Sequence, residues 1–216
     1  MTQKYTEIIQ LVHPLFDTFF ARDYGIKFRT HQDLLNHINN NKDELIAINT
    51  TLKAYKRAIN VIKEKRPTAL FVMVLPAEED KFSGKEPVAA YNKVIKQLIE
   101  HSKETLGERA VVTDFHPEYA GHTEYIKPAL YSKLNKDLKI SSFGEYGNAC
   151  VSAWLGYANE KLIKKGFNVK KKNILFNYSI NNTFADREAK PTYLDRKIIR
   201  KQELYKKRTV RKSIAK

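Results

Sequence analysis

Five short apolar runs divide the chain, and the run at 68–75, TALFVMVL, is apolar at every position after Thr68. A strand with one solvated face alternates polar and apolar residues, so an uninterrupted run indicates a strand covered on both faces. Strands of this kind occur in parallel sheets that are flanked by helices. The runs predicted to form strands are 7–12, 68–75, 109–115, 138–143 and 173–180.

The segments between these runs have the apolar spacing of helices. In 45–62 apolar residues recur every three or four positions, and a similar stripe begins after Pro87. Further helices are predicted at about 31–40 and 151–162. Alternating strands and helices imply right-handed crossovers. We therefore expect an α/β fold: a three-layer, Rossmann-like sandwich with a mostly parallel sheet of about five strands, plus a basic C-terminal tail or helix.

The positive charge of the chain is concentrated at one end. Residues 161–216 hold 18 Lys and Arg against four acids, whereas residues 1–160 hold 21 basic and 20 acidic residues. We divide the chain into an α/β domain at 1–185 and a basic C-terminal extension at 186–216. Such asymmetry predicts an anionic partner for 187–216, either nucleic acid or an acidic protein. A solvated tail that only increases solubility is the alternative.

The candidate nucleic-acid-binding residues lie in this extension. They are Lys197, Arg200, Lys201, Lys206, Lys207, Arg208, Arg211 and Lys212. Against phosphates this density would give salt-dependent, sequence-tolerant binding. Tyr193 and Tyr205 would stack on unpaired bases.

The sequence predicts a cytoplasmic protein that does not associate with a membrane. The one cysteine, Cys150, excludes an intramolecular disulfide, and the N-terminus has no signal-peptide pattern. No apolar run approaches the roughly 18 residues that a membrane helix needs.

Polar loops follow the predicted strands. In open parallel sheets, ligands bind outside the carboxyl ends of the strands, so we expect these loops to form a site for a polar or phosphorylated small molecule. The candidate catalytic residues are His13, Asp17, Glu145 and Cys150.

Asp114, His116 and His122 follow the third strand and are candidate metal ligands. Oxygen and imidazole ligands suit a divalent ion such as zinc or manganese, which would activate water or hold a phosphate. In the alternative, Asp114 caps a turn and both histidines are exposed to solvent.

Cys150 and His13 each have a functional and a structural interpretation. Cys150 lies at a predicted helix start, where the helix dipole favours a nucleophilic thiolate, but a lone cysteine also occurs as a small buried thiol. His13 at a strand end suits proton transfer, and a hydrogen-bonded structural histidine is the alternative.

The stretch KISSFGEYGNACV resembles the cysteine-containing turn of isochorismatase-like hydrolases. KPALYS, from Lys127, is similar to the lysine segment of that family, and Asp114, His116 and His122 resemble the metal spacing of nicotinamidases. The resemblance covers about 40 residues. The family has a catalytic aspartate where this chain has His13, so no catalytic triad is carried over.

Two functions follow from the sequence. The first is a hydrolase-type enzyme that acts on a polar or phosphorylated small molecule at the carboxyl edge of the sheet. The second is a non-enzymatic scaffold that binds RNA, DNA or an acidic partner through 187–216. The chain has no glycine-rich phosphate loop and no Gly-x-Ser-x-Gly motif.

Overall fold

The structure, a computed structural model, describes residues 4–15, 31–75, 85–113, 125–145, 147, 150–180 and 190–214. In this part of the chain the strands are β1 (Tyr5–Val12), β2 (Ala69–Val74), β3 (Ala110–Thr113), β4 (Leu134–Gly144) and β5 (Asn168–Ile174). They form one sheet in the order β3-β2-β1-β4-β5, and every pairing in it is parallel. The predicted parallel sheet is confirmed.

The described helices are α1 (His31–Asn40), α2 (Lys42–Lys65), α3 (Lys85–Leu106), α4 (Pro128–Tyr131), α5 (Cys150–Lys164) and α6 (Tyr193–Ile214). Helices α2 and α3 join the strands on one side of β1, and α5 joins β4 to β5. None of these described helices is both long enough and apolar enough to cross a membrane. The architecture is the expected α/β sandwich with helices on both faces of the sheet.

The burial of β2 explains its uninterrupted apolar sequence. Phe71 and Met73 belong to the hydrophobic cluster that α2 and α3 cover, whereas Leu70 and Val72 belong to the cluster under α5. All six residues of β2 are buried. Because successive side chains of a strand point to opposite faces, both faces must be apolar when both are covered.

The fifth strand differs from its prediction. The apolar run at 173–180 predicted it, but β5 ends at Ile174, and Phe176–Tyr178 form a 3-10 turn. β5 is an edge strand, and Lys170–Lys172 within it are exposed. Apolar runs identify strands that are covered on both faces, and an edge strand with exposed side chains lacks that pattern.

Helix α6 is anchored to the body of the protein at its first turn. The Thr192 and Asp195 side chains each accept a hydrogen bond from the other's backbone N–H, at 3.1 and 2.7 Å, which is a capping box. The Thr192 hydroxyl also donates to the carbonyl oxygen of Ser179, and Leu194 lies in the core cluster with α2. The boundary at residue 185 stays a prediction, because it lies outside the described residues.

Candidate functional site

The strand order reverses at β1, which has β2 and β3 on one side and β4 and β5 on the other. Such a reversal opens a crevice at the carboxyl ends of the two central strands, where ligands bind in open α/β sheets. The residues that follow β1 and β4 are His13 and Glu145, which are only 8% and 5% exposed. The backbone N–H of Glu145 donates to the carbonyl oxygen of Val12, at 3.3 Å. Two titratable residues are therefore buried at the ends of neighbouring strands at this point.

His13 has a strained backbone conformation. Its φ is 44°, and that of Leu15 is 65°, a region that residues other than glycine seldom occupy. The His13 N–H donates to the carbonyl oxygen of Val74, at 2.9 Å, and the imidazole lies edge-on to the Trp154 ring, with the ring centroids 6.0 Å apart. Each strained residue costs on the order of 1–3 kcal/mol, and such residues concentrate at functional sites.

Glu145 lies where the two helical layers meet the end of the sheet. Burial, and then the negative charges of Glu145 and Asp195, raise the pKa of Tyr55 on α2 well above its usual value. The same Glu145 charge acts on Cys150 of α5, on the opposite face. The Glu145 carboxylate therefore lies within electrostatic range of side chains from both helical layers.

Cys150 is the first residue of α5, as the sequence predicts, but its surroundings oppose ionisation. Burial, and then the Glu145 charge, raise the pKa of the thiol from 9.0 to about 11. At neutral pH the side chain is therefore a protonated thiol and not a thiolate. Its role as a nucleophile stays a prediction.

A buried polar network lies beneath the site, on the α5 face. The Tyr125 hydroxyl donates to Gln10 Oε1 at 2.7 Å, and Gln10 Nε2 donates to Ser142 Oγ at 2.6 Å. All three side chains are fully buried, and burial raises the pKa of Tyr125 strongly, so its phenol stays protonated and donates. The glutamine inside the apolar run EIIQLV was the one sequence signal for this network, whose partners the sequence did not predict.

The other predicted site residues at this edge lie outside the described part of the chain. They are Asp17, Asp114, His116 and His122. β3 ends at Thr113, so the segment that contains the proposed metal ligands begins at the same edge of the sheet. Within the described residues, no group of three or more His, Cys, Asp and Glu side chains is arranged to hold a metal. The metal site therefore stays a prediction.

The basic residues of the C-terminal segment lie on α6. Lys197 is half-buried, and the side chains of Arg200, Lys201, Lys206, Lys207 and Arg208 are exposed. Arg211 and Lys212 belong to the same helix. Lys53 and Arg57 of α2, which the sequence did not single out, lie beside this basic surface because α6 packs on α2.

The fold and this edge define an α/β protein with a parallel sheet and buried polar groups at the point where the strand order reverses. Comparisons with protein-family models, with curated proteins and with solved structures find no match for the chain. The resemblance to isochorismatase-like hydrolases gains no support from them. The functional interpretation therefore depends on the geometry of the molecule.

Proposed function

We propose that this protein is a hydrolase-type enzyme that binds a polar or phosphorylated small molecule between the ends of β1 and β4. One observation carries the proposal: His13 and Glu145 are both buried at the ends of the two strands between which the strand order reverses. Burying titratable groups is costly, and such groups concentrate at functional sites. The strained backbone at His13 and Leu15 supports the same location.

His13 is the proton-transfer residue in this proposal. An imidazole changes its charge near neutral pH and so both accepts and releases a proton there. In ester hydrolysis the oxygen of water bonds to the phosphorus or acyl carbon, and the bond to the alcohol breaks. His13 takes the proton from the attacking water and returns it to the departing alcohol. Glu145 follows the neighbouring strand, and its negative charge would favour the positively charged imidazolium between these two transfers.

A divalent metal at Asp114, His116 and His122 would add to this site. Such an ion would bind a phosphate or ester oxygen of the substrate and lower the pKa of bound water. The proton transfer by His13 does not depend on it, so the two parts of the proposal can be tested separately.

The test uses p-nitrophenyl phosphate and p-nitrophenyl acetate as probe esters. We expect the wild-type protein to hydrolyse at least one of them, and His13→Gln to lower kcat/KM by about 10²- to 10⁴-fold. The matched control is His101→Gln on α3, whose imidazole contacts Asn60 at 3.0 Å and which should keep full activity. Circular dichroism would verify that both variants fold.

Two results would overturn the proposal. One is a wild-type protein that hydrolyses neither ester faster than the His13→Gln variant does. The other is activity that the His13→Gln and His101→Gln variants retain equally, because the imidazole at the sheet edge would then take no part in it.

A second candidate function is the binding of nucleic acid or an acidic protein through α6. The exposed cations along this helix favour it, among them Arg200, Lys206 and Lys207. Deleting 187–216 would also remove Leu194 from the core, so charge substitutions are a cleaner test. We expect Arg200→Gln with Lys207→Gln to weaken binding to a labelled oligonucleotide or to polyglutamate, with unchanged stability. Binding that ignores both substitutions would exclude this function for α6.

A further inference from the structure

Helices α2 and α6 pack side by side and run in opposite directions. Asp43, near the start of α2, forms an ion pair with Lys206 at 2.6 Å and accepts a hydrogen bond from Gln202 at its carbonyl oxygen, at 2.9 Å. Further along α2, Thr50 Oγ1 contacts Lys201 Nζ at 3.4 Å. We call the line where the two helices meet, between residues 46–64 of α2 and 193–208 of α6, the α2–α6 seam.

Two grooves follow each other along the α2–α6 seam. The first has a volume of about 320 Å³, and its lining includes Lys53, Lys201 and Arg208. The second has a volume of about 370 Å³, and its lining includes Arg57 and Lys197. Lys53 precedes Ala54 of the second groove, and Lys197 lies one helical turn before Lys201, so the cations form one continuous row.

This row of cations is not neutralised within the described part of the chain. Burial, and then the positive charges of Lys197, Lys53 and Arg57, lower the pKa of Lys201. No described carboxylate forms an ion pair with any of these four residues. Glu64, at the far end of the second groove, is the one acid among the described residues that line either groove. The mutual repulsion of four cations would be relieved by a bound polyanion.

Aromatic rings accompany the cations. Tyr205 lines the first groove and is 41% exposed, and Tyr193 lines the second and is 56% exposed. Large exposed rings next to a row of cations are the combination that binds unpaired bases, because the rings stack on bases while the cations contact phosphates. Paired bases inside a duplex do not offer their faces, and an acidic peptide has no bases to stack.

We propose that the α2–α6 seam binds single-stranded nucleic acid, with phosphates on Lys53, Arg57, Lys197 and Lys201 and bases stacked on Tyr193 and Tyr205. The inference deepens the second candidate function and depends on it, and it is independent of the hydrolase site. What it adds is the contribution of α2 and the two grooves that hold the strand. The hydrogen bond from Thr192 to the Ser179 carbonyl oxygen and the burial of Leu194 fix α6 on the body, so the grooves exist before a ligand binds.

The test measures fluorescence anisotropy of labelled oligo(dT) and oligo(U) of about twelve nucleotides with the full chain. The key variant is Lys53→Gln with Arg57→Gln, because neither residue belongs to α6. We expect its dissociation constant to rise about tenfold or more, and the slope of log K against log salt to fall in magnitude by about 1.4. Tyr205→Ala should weaken binding roughly tenfold, and Tyr205→Phe should restore it.

The matched control is Lys63→Gln with Lys65→Gln, which removes the same charge from exposed positions of α2 outside both grooves. We expect it to bind like the wild type. Equal weakening by the two double variants would overturn the inference, and so would a matching duplex or polyglutamate that binds as tightly as the single strands. If Arg200→Gln with Lys207→Gln abolished binding while Lys53→Gln with Arg57→Gln did not weaken it, this inference would be overturned and the second candidate function would remain. No binding at all would overturn the second candidate function with it.

Discussion

The backbone N–H of Glu145 donates to the carbonyl oxygen of Val12, and this bond joins the two central strands where the strand order reverses. It brings the backbone of His13, the residue after Val12, beside that of the buried Glu145. The approach requires Gly144, whose φ is 145° and where a Cβ would overlap the Val12 carbonyl oxygen. The position of both site residues therefore follows from the backbone.

The first prediction concerns Gly144. Gly144→Ala should lower the free energy of unfolding by about 3 kcal/mol, because the Cβ must displace β1 and the backbone must keep a conformation that favours glycine. Urea denaturation measures the change. The control is Gly156→Ala within α5, where the added Cβ meets open space and should stabilise the helix by up to about 1 kcal/mol. Equal stabilities of the Gly144→Ala and Gly156→Ala variants would contradict the close approach of Gly144 to Val12.

The second prediction concerns the anchor of α6. Thr192→Ala removes the hydroxyl that accepts a hydrogen bond from the Asp195 N–H and donates one to the Ser179 carbonyl oxygen. It should therefore lower the free energy of unfolding by about 1–2 kcal/mol. Thr192→Ser should keep most of this energy. Thr209→Ala on the same helix removes only a hydroxyl that contacts Tyr205 and should change stability by less than about 0.5 kcal/mol. Chemical denaturation would show whether Thr192 and Thr209 differ in this way.

The third prediction concerns the pH dependence of stability. The folded protein raises the pKa of Cys150 from 9.0 to about 11, so the unfolded chain loses this proton at a lower pH than the folded protein does. The stability that this group contributes is fully present below about pH 9 and is lost as the pH rises through 11. Relative to Cys150→Ala, the wild type should lose about 2–3 kcal/mol across this interval.

Measuring both proteins at each pH cancels the titration of the lysines and tyrosines that they share. A difference between wild type and Cys150→Ala that stays constant from pH 8 to 11 would mean that the thiol is not in the environment described here.

The fourth prediction concerns a metal. We expect zinc or manganese to raise the melting temperature of the wild type, by an amount that corresponds to about 2.7 kcal/mol when the metal is at 100 times its dissociation constant. Asp114→Asn with His116→Ala should abolish the shift, and His101→Ala should keep it. A purified protein that contains no metal and that zinc, manganese and magnesium all fail to stabilise would eliminate this site.

Much of the fold could be predicted because its local signals agree with its tertiary structure. The apolar run of β2 is buried on both faces, and the stripe that includes Tyr55 and Ile59 on α2 packs on the sheet. β5 was placed too late, because an edge strand tolerates lysines and the apolar run after it forms a 3-10 turn. A local sequence pattern reflects which side chains are buried. It predicts a helix or a strand only where the buried residues recur with the period of that element.

The site could be predicted in part. His13 and Glu145 were selected because each follows a strand, and parallel strands bring their carboxyl ends to the same edge. The hydrogen bonds of Gln10 to Ser142 and Tyr125 were missed, since these residues are more than 100 positions from Gln10 in the chain. The high pKa of Cys150 was also missed, because it depends on burial and on the Glu145 charge.

The sequence by itself determined where most strands and helices form, that the sheet is parallel, and that the carboxyl ends of its strands share one edge. Only the tertiary structure decided that the order reverses between His13 and Glu145, and that Lys53 and Arg57 of α2 join the cations of α6. The physical reason is that periodicity records how one segment meets solvent or core. Strand order and helix pairing instead arise from contacts between distant segments, and a single segment does not encode them.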